Sequence, residues 1–236
     1  MKHARMLSLA LVALVSSLSL AAPARAQSDQ KPTVKVPEAG VPEIMTLEGT
    51  YVRAAYNNEG YAIIGYRIAN LSVGEDWMLL DFGTTVRDGV KSYTLTRDAV
   101  SLETPDGKTI PMPSVEEYRK ANLQALENRA RVSRDSINYF PPTANRACRI
   151  GFFNELNAPV MPWDQVELSD NRACVGRLFF RVPGGIAYGQ HWLNVKFENS
   201  LVRVPFRILT KDEEKLLSKN FKDIKKQVDE AFKKKN

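Results

Sequence analysis

Hydrophobic and polar residues alternate with a period of two along the last third of the chain. This alternation is typical of antiparallel strands that bury one face. Pro205 lies in the last such segment and predicts an edge strand or a bulge there, because proline donates no ladder hydrogen bond. The pattern predicts one shared interior, and it predicts that Arg177, Phe179 and Arg181 face away from it. The residues predicted to fill this interior are Leu178, Phe180, Leu193, Val195, Phe197, Val204 and Phe206.

Apolar runs separated by turn signals predict further strands in the first half of the chain. The sequence Pro105-Asp106-Gly107-Lys108 predicts the turn of a β-hairpin. Residues 57–60 form a second turn signal. The strands predicted around these turns cover residues 47–56, 60–71, 77–86, 101–104 and 109–112.

A helical period of three to four residues replaces the alternation in two segments. Ser114 and Glu117 fit a capping box, and the Ala, Leu, Glu and Arg residues that follow predict one inserted helix over about 114–134. Residues 211–236 carry an apolar stripe opposite a lysine-rich face, which predicts a C-terminal amphipathic helix. The stripe consists of Leu217, Phe221, Ile224, Val228 and Phe232.

The first 26 residues have the features of a secretory signal peptide. Lys2 and Arg5 precede an uncharged apolar run, and Ala24-Arg25-Ala26 fits a cleavage site. The apolar run is short for a membrane span, which needs about 20 residues, so we favour cleavage over an uncleaved membrane anchor. The mature chain is then expected to begin at Gln27 and to lie in the periplasm or outside the cell.

Residues 27–46 contain three prolines at five-residue spacing, which is typical of an extended leader or linker. The alternative is a peptide arm that adds a strand to a partner's sheet. The predicted organisation is therefore a signal peptide (1–26), this leader (27–46), a β-rich domain with a helical insertion (47–210) and the lysine-rich tail helix (211–236).

Cys148 and Cys174 are the two cysteines of the chain, and each follows Asn-Arg-Ala and precedes a Phe-Phe pair. Exported proteins meet an oxidising environment, so an isolated pair predicts a disulfide. A zinc site needs more nitrogen or sulfur ligands than this chain offers, and we expect no metal and no cofactor. Antiparallel hairpin partners would place these two strand starts at opposite edges of a sheet. The disulfide therefore predicts another arrangement, or one cysteine outside its strand.

The formal net charge of +6 does not indicate a nucleic-acid partner. The signal peptide and the tail (211–236) each contribute +3, and residues 27–210 are balanced between acidic and basic side chains. A domain without overall basic bias in an exported protein lacks the electrostatic footprint of nucleic-acid binding. We expect no nucleic-acid partner.

The segments GYAIIGYRIANLS, PDGK, GRLFFRVPGG and LVRVPFRIL, taken together, resemble the immunoglobulin-like β-sandwich domains of small exported bacterial proteins of unknown function. The resemblance covers residues 47–209. It implies a mainly β fold, an antiparallel immunoglobulin-like β-sandwich, from which the inserted helix and the tail helix are departures. It implies no functional residues, because the same pattern serves many unrelated sandwiches.

Catalytic motifs are missing from the chain: no glycine-rich phosphate loop, no His-Glu-x-x-His and no Gly-x-Ser-x-Gly is present. His191 is the single histidine after residue 26, and we interpret it as a loop residue just before a strand, exposed or engaged in packing. We therefore predict that the protein is not an enzyme. A carboxylate-dependent hydrolase on a sandwich fold is one alternative, because its Asp and Glu need no local motif.

Arginines flank both cysteines and, with one tryptophan, form a candidate binding patch for an acidic peptide or glycan. The predicted function is that of an exported, non-catalytic binding or structural protein of the cell envelope, whose partner is an envelope protein or glycan. The second alternative is a membrane-surface protein that makes peripheral contact through residues 211–236. The candidate patch consists of Arg146, Arg149, Trp163, Arg172 and Arg177; the same residues are also compatible with ordinary solvated strand ends.

Overall fold

The alternating segments form most of a mainly β fold. In the computed structural model, which describes residues 44–90, 92–153 and 161–220, twelve strands form three sheets. The strands are β1 (Ile44–Gly49), β2 (Val52–Tyr56), β3 (Gly60–Gly65), β4 (Trp77–Val86), β5 (Tyr93–Thr96), β6 (Val100–Glu103), β7 (Thr109–Pro111), β8 (Arg146–Ile150), β9 (Gln165–Leu168), β10 (Arg172–Arg181), β11 (Gly189–Lys196) and β12 (Leu201–Ile208). The helices are α1 (Arg67–Leu71), α2 (Val115–Lys120) and α3 (Gln124–Val132), and residues 211–220 are also helical.

The sheets are antiparallel except for one pair of strands. The largest has the order β1-β2-β3-β4-β10-β8, the second has the order β12-β11-β6-β7, and β5 pairs with β9. β8 and β10 run parallel, which departs from the antiparallel arrangement predicted for the fold as a whole. β12 lies at a sheet edge, where the proline at position 205 was expected, and β6 and β7 form the hairpin predicted from the turn at residues 105–108.

The predicted interior of the domain is confirmed. All seven of its residues are at most 1% exposed and belong to one hydrophobic cluster, to which both larger sheets contribute. The rings of Tyr66 and Phe206 lie 5.4 Å apart across it. Phe197 lies directly on Gly60, where a Cβ atom would come within 2.2 Å of the ring. A glycine is therefore needed at this contact.

The other face of the largest sheet is also covered, which the alternation did not predict. Phe179 is 1% exposed, and its ring contacts Tyr118 at 4.9 Å and Phe153 at 5.5 Å between centroids. Phe179 lies on the face opposite Leu178 and Phe180, as the alternation predicted, but this face is covered as well. The chain between β7 and β9 supplies this cover, because Tyr118 lies on α2 and Phe153 follows β8.

Two predicted strands are interrupted. The segment 47–56 contains a reversal between β1 and β2, at which the Arg53 guanidinium donates to the carbonyl oxygens of Gly49 and Val52 at 3.1 and 2.9 Å. β1 begins at residue 44, so three residues of the predicted leader belong to a strand. The segment 60–71 leaves β3 at residue 65 and continues as α1, because apolar residues alone do not distinguish a buried strand from a buried helical turn.

The predicted helix 114–134 is two helices. Its capping box is confirmed: Ser114 Oγ accepts from the Glu117 amide at 3.1 Å, and the Glu117 carboxylate accepts from the Ser114 amide at 3.0 Å. The chain turns to an extended conformation at Ala121, so α3 starts in a new direction. The Tyr118 hydroxyl donates to Glu127 at 2.9 Å across the break, and the break brings buried side chains of both helices to the same interior.

The tail helix begins as predicted, and its first residue of the stripe, Leu217, packs against the core cluster. Thr210 and Glu213 form a second capping box, with the Glu213 amide donating to Thr210 Oγ1 at 3.3 Å and the Thr210 amide donating to Glu213 at 2.9 Å. Tyr51 hydrogen-bonds to Glu214. The rest of the stripe, the signal peptide and residues 27–43 lie outside the described residues.

The internal repeat corresponds to two neighbouring parallel strands in register. Arg146 pairs with Arg172, Ala147 with Ala173 and Cys148 with Cys174. The two Sγ atoms are 2.09 Å apart and the two Cα atoms 4.1 Å apart, which is disulfide distance. Parallel strands start at the same edge of a sheet, so both cysteines can sit inside their strands. The disulfide prediction required that these two strands are not antiparallel hairpin partners, and a parallel pair meets this requirement.

Phe180→Ala is expected to lower the free energy of unfolding by about 3–5 kcal/mol, because the side chain is fully buried. Leu201→Ala is the matched control: Leu201 is 47% exposed, and its truncation is expected to change stability by less than about 0.5 kcal/mol. Urea unfolding of both variants measures the difference. A loss below about 1 kcal/mol for Phe180→Ala would contradict the assignment of the inner face.

Cys148 and Cys174 are expected to be bonded in the exported protein. Titration with a thiol reagent in denaturant should find no free thiol before reduction and two afterwards. On the chain-entropy model, closing a loop of 26 residues stabilises the fold by roughly 3–4 kcal/mol, so the Cys148→Ser, Cys174→Ser double variant should unfold at a lower urea concentration. Two free thiols in the unreduced protein would rule the disulfide out.

Candidate functional site

A cleft of about 680 Å³ opens beside the disulfide, between β8, β10 and the chain that follows α3. We call it the arginine cleft, because three guanidinium groups contribute to its lining. Its lining combines charged and apolar side chains. Its polar lining residues include Asp81, Arg134, Asp135, Arg149 and Arg177, and its apolar ones include Ile137, Ile150, Phe153 and Phe179, with Cys148 between them.

A buried ion pair lies at the base of the cleft. Asp81 on β4 and Arg177 on β10 are direct partners in the antiparallel register, so their side chains share one face of the sheet. Arg177 Nε lies 3.6 Å from Asp81 Oδ1, and each side chain is 8% exposed. Arg177 also donates to the carbonyl oxygen of Ala130 at 3.3 Å, which links the sheet to α3.

Burial raises the pKa of the Asp81 carboxyl above its usual value, and the charges of Arg177 and Arg134 partly oppose that shift. Removing a carboxylate from water disfavours its charged form, whereas a nearby cation favours it. A buried carboxyl with a raised pKa in a cleft is a general feature of functional sites as well as of structural ion pairs. Asp81 is therefore the carboxyl group of the cleft that is a candidate for acid–base chemistry.

Asp135 fixes the segment that borders the cleft. Its carboxylate accepts from the Arg67 amide at 3.0 Å and from Arg67 Nε at 2.9 Å. The segment lies close to the sheet because Gly65 has no side chain: a Cβ atom there would lie 2.7 Å from the Asp135 Cβ. Gly83 also allows this segment to lie close to the sheet, because a Cβ atom there would lie 2.7 Å from the ring of Phe140.

Arg134 and Arg149 are the exposed cations of the cleft. Neither guanidinium has a carboxylate within salt-bridge distance in the described part of the chain. The carboxylates of the cleft itself are already engaged, Asp81 with Arg177 and Asp135 with Arg67. The cleft thus presents two exposed guanidinium groups without a direct salt bridge among the described residues, together with apolar lining residues, which suits an anionic group attached to an apolar body.

Two of the five residues of the predicted binding patch line the cleft, and three lie outside its lining. Arg149 and Arg177 line the cleft. Arg146 and Arg172 lie side by side at the start of the parallel pair, and Arg172 lies 3.6 Å from Glu167. Trp163 is 49% exposed; its amide donates to the Gly151 carbonyl at 2.8 Å and its ring rests near Gly151, just after β8. These three residues are not part of the cleft lining.

Sequence reasoning missed Arg134, Asp135 and the burial of Asp81. A signal for them exists in the glycines inside predicted strands, because glycine in a strand marks close approach of another segment. Gly65 on β3 and Gly83 on β4 lie on the same face of the largest sheet as Asp81, and each is approached by the chain between residues 135 and 140. These positions could have indicated which face the insertion covers.

His191 lies inside β11 rather than in a loop before it, and its side chain is fully buried. Its ring stacks on Phe206 with 5.3 Å between centroids, and Nδ1 lies 3.0 Å from the Gly189 carbonyl oxygen. The interpretation as a loop residue is therefore wrong, whereas packing is confirmed. A carbonyl oxygen only accepts, so Nδ1 carries the proton in the neutral ring and Nε2 is the acceptor.

Comparisons with protein-family models, with curated proteins and with solved structures give no match for this chain. Within the described ranges, no group of three or more His, Cys, Asp or Glu side chains is placed to hold a metal ion. No helix in that part of the chain is long and apolar enough to cross a membrane. The function must therefore be argued from the geometry of the cleft.

Acidification is expected to destabilise the protein through His191. Burial lowers the pKa of the folded imidazole, against a usual value near 6.5. The stabilising contribution is therefore complete above about pH 6.5 and is lost as the pH falls, because the unfolded chain then binds the proton more readily. Asp106 partly opposes the shift.

Urea unfolding of the wild type at pH 7.5, 6.5 and 5.5 measures this loss, and His191→Phe is the matched variant because it keeps a ring against Phe206. The wild type should lose more stability than the variant between pH 6.5 and 5.5, by up to about 1.4 kcal/mol per pH unit. Parallel stability curves for the two proteins would contradict the expectation.

Proposed function

We propose that this chain is an exported, non-catalytic binding protein of the cell envelope and that the arginine cleft holds an acidic group of its ligand, an acidic peptide or glycan. Export is supported by the signal-peptide pattern that ends near Ala26 and by two cysteines at disulfide distance. The mature protein then acts in the periplasm or outside the cell.

The observation that carries the proposal is the pair of exposed arginines at the cleft. Arg134 and Arg149 have no carboxylate partner among the described residues, although Arg67 and Arg177 close by are both paired. Guanidinium groups bind carboxylates and phosphates with two parallel hydrogen bonds. Val175, which is 37% exposed, and the half-buried Ile137 are lining residues that can contact the apolar body of the ligand.

The immunoglobulin-like β-sandwich is proposed as the architecture that presents the cleft. Two sheets that share one core support this proposal. The parallel β8–β10 pair and the segment over the outer face of the largest sheet are departures from a minimal sandwich. In this view the sandwich is the scaffold, and the departures form the binding site.

A carboxylate-dependent hydrolase is the second candidate function, and the raised pKa of Asp81 is the observation in its favour. A general acid must reach its substrate, whereas the Asp81 side chain is 8% exposed and paired with Arg177. Asp135 is likewise held by Arg67. Binding is favoured because the exposed groups of the cleft are cations rather than carboxylates.

Action at a membrane surface through residues 211–236 has less support. The start of the tail helix is attached to the domain by the hydrogen bond between Tyr51 and Glu214, and Leu217 of the stripe packs on the core cluster. A stripe whose first residue packs, partly buried, against the domain favours packing of the helix over insertion into lipid.

The test is capture of envelope components by three purified proteins. They are the wild type, the cleft double variant that combines Arg134→Ala with Arg149→Ala, and a control double variant with the same net charge. Arg119→Ala, Arg181→Ala removes two exposed arginines outside the cleft lining. Mass spectrometry quantifies the captured peptides and glycans. Recovery of the main wild-type ligand is expected to fall about tenfold or more in the cleft variant and to stay constant in the control, since arginines at binding sites are frequent hot spots.

Raising the salt concentration from 0.05 to 0.5 M should weaken the wild-type interaction more than that of the cleft variant, because salt screens exposed charges. Equal recovery by both double variants would contradict the cleft as the binding site. Turnover of the captured ligand by the wild type, abolished in Asp81→Asn, would replace the binding proposal with the hydrolase.

A further inference from the structure

A second cavity, of about 750 Å³, lies at the end of β6, β7 and β10 and is independent of the arginine cleft. We call it the His191 cavity. The β6–β7 hairpin forms one side, and the chain that follows β10 forms the other. Its apolar lining residues are Pro105, Ile110, Pro111, Val182, Pro183 and Ala187. A cavity of this size and lining fits a small organic molecule.

The polar groups of the hairpin satisfy one another. Thr104 Oγ1 lies 2.5 Å from Asp106 Oδ1 and 3.1 Å from the Lys108 carbonyl oxygen. Lys108 Nζ lies 2.6 Å from Asp106 Oδ2, so the cation and the anion of the cavity are paired. Because these two charges neutralise each other, the hairpin does not favour a charged ligand.

His191 differs from these groups. It lines the cavity, it is 0% exposed, and its Nε2 has no hydrogen-bond partner within the described residues. The Nδ1 proton is used by the Gly189 carbonyl, so Nε2 is a buried acceptor that lacks a donor. Leaving a buried polar atom unpaired costs about 1–3 kcal/mol, and such an atom in a cavity wall is a place where a ligand gains affinity.

We propose that the His191 cavity binds a small, uncharged, apolar molecule that carries one N–H or O–H donor, and that this group donates its hydrogen bond to His191 Nε2. The prolines and aliphatic side chains of the lining contact the apolar body. The buried acceptor selects for the donor, since a molecule of the same shape without it would leave Nε2 unpaired.

Indole and 1-methylindole are a suitable pair of probes, because they differ in one N–H donor and hardly in shape. Titration of the wild type and of His191→Phe, followed by the methyl NMR signals of Ile110 and Ala187, reports binding inside the cavity. The wild type is expected to bind indole about tenfold more tightly than 1-methylindole, which corresponds to about 1.4 kcal/mol. In His191→Phe the two probes should bind equally.

A second measurement needs no variant. The chain has two histidines, His3 and His191, so selective ¹⁵N labelling gives at most two imidazoles, and the buried one should show Nε2 as a neutral acceptor. Indole should shift this Nε2 signal toward that of a hydrogen-bonded nitrogen, and 1-methylindole should not. Equal affinities in the wild type, no saturable shift at Ile110 and Ala187, or an unchanged Nε2 signal with indole bound would each overturn the proposal.

Discussion

The pairing of β10 with β4 inside the largest sheet is the constraint on which the other features depend. Both faces of this pair are buried, Leu178 and Phe180 in the shared core and Phe179 under the insertion. A polar side chain on the outer face must then find a partner away from water, and Arg177 meets Asp81 directly across the pair. Breaking such a pair leaves one charge buried and uncompensated, so either residue alone is hard to replace.

The same strand determines where the cysteines lie. β10 pairs with β4 on one side, so its other edge is free to take β8, and the parallel direction brings the two Asn-Arg-Ala-Cys copies into register. The disulfide then holds an edge strand of five residues in place. Arg149 lies on that strand, so its position at the arginine cleft depends on the bond. The short internal repeat is thus explained by strand pairing and not by a repeating fold.

The sequence predicted features that depend on local pattern. It did not predict features that depend on segments distant in the chain packing over the sheet. Alternation identified the inner face correctly at Leu193, Val195 and Phe206, because one sheet face in water and one in the core give a period of two. It did not indicate that Phe179 on the opposite face is buried too, because the cover comes from distant parts of the chain. Arg149 and Arg177 were part of the predicted patch, but Arg134 was missed since only the fold brings it to β8.

The two cavities differ in the interaction by which each would select its ligand. The arginine cleft offers exposed cations, whose attraction is long-ranged but weakened by salt. The His191 cavity offers one buried neutral acceptor, whose effect is short-ranged and insensitive to salt, and which is lost when the imidazole takes up a proton. A ligand of the first site is therefore selected by its charge, and a ligand of the second by the geometry of a single donor. Because β10 contributes Arg177 to the arginine cleft and is followed by Val182 in the lining of the His191 cavity, both sites depend on the placement of β10.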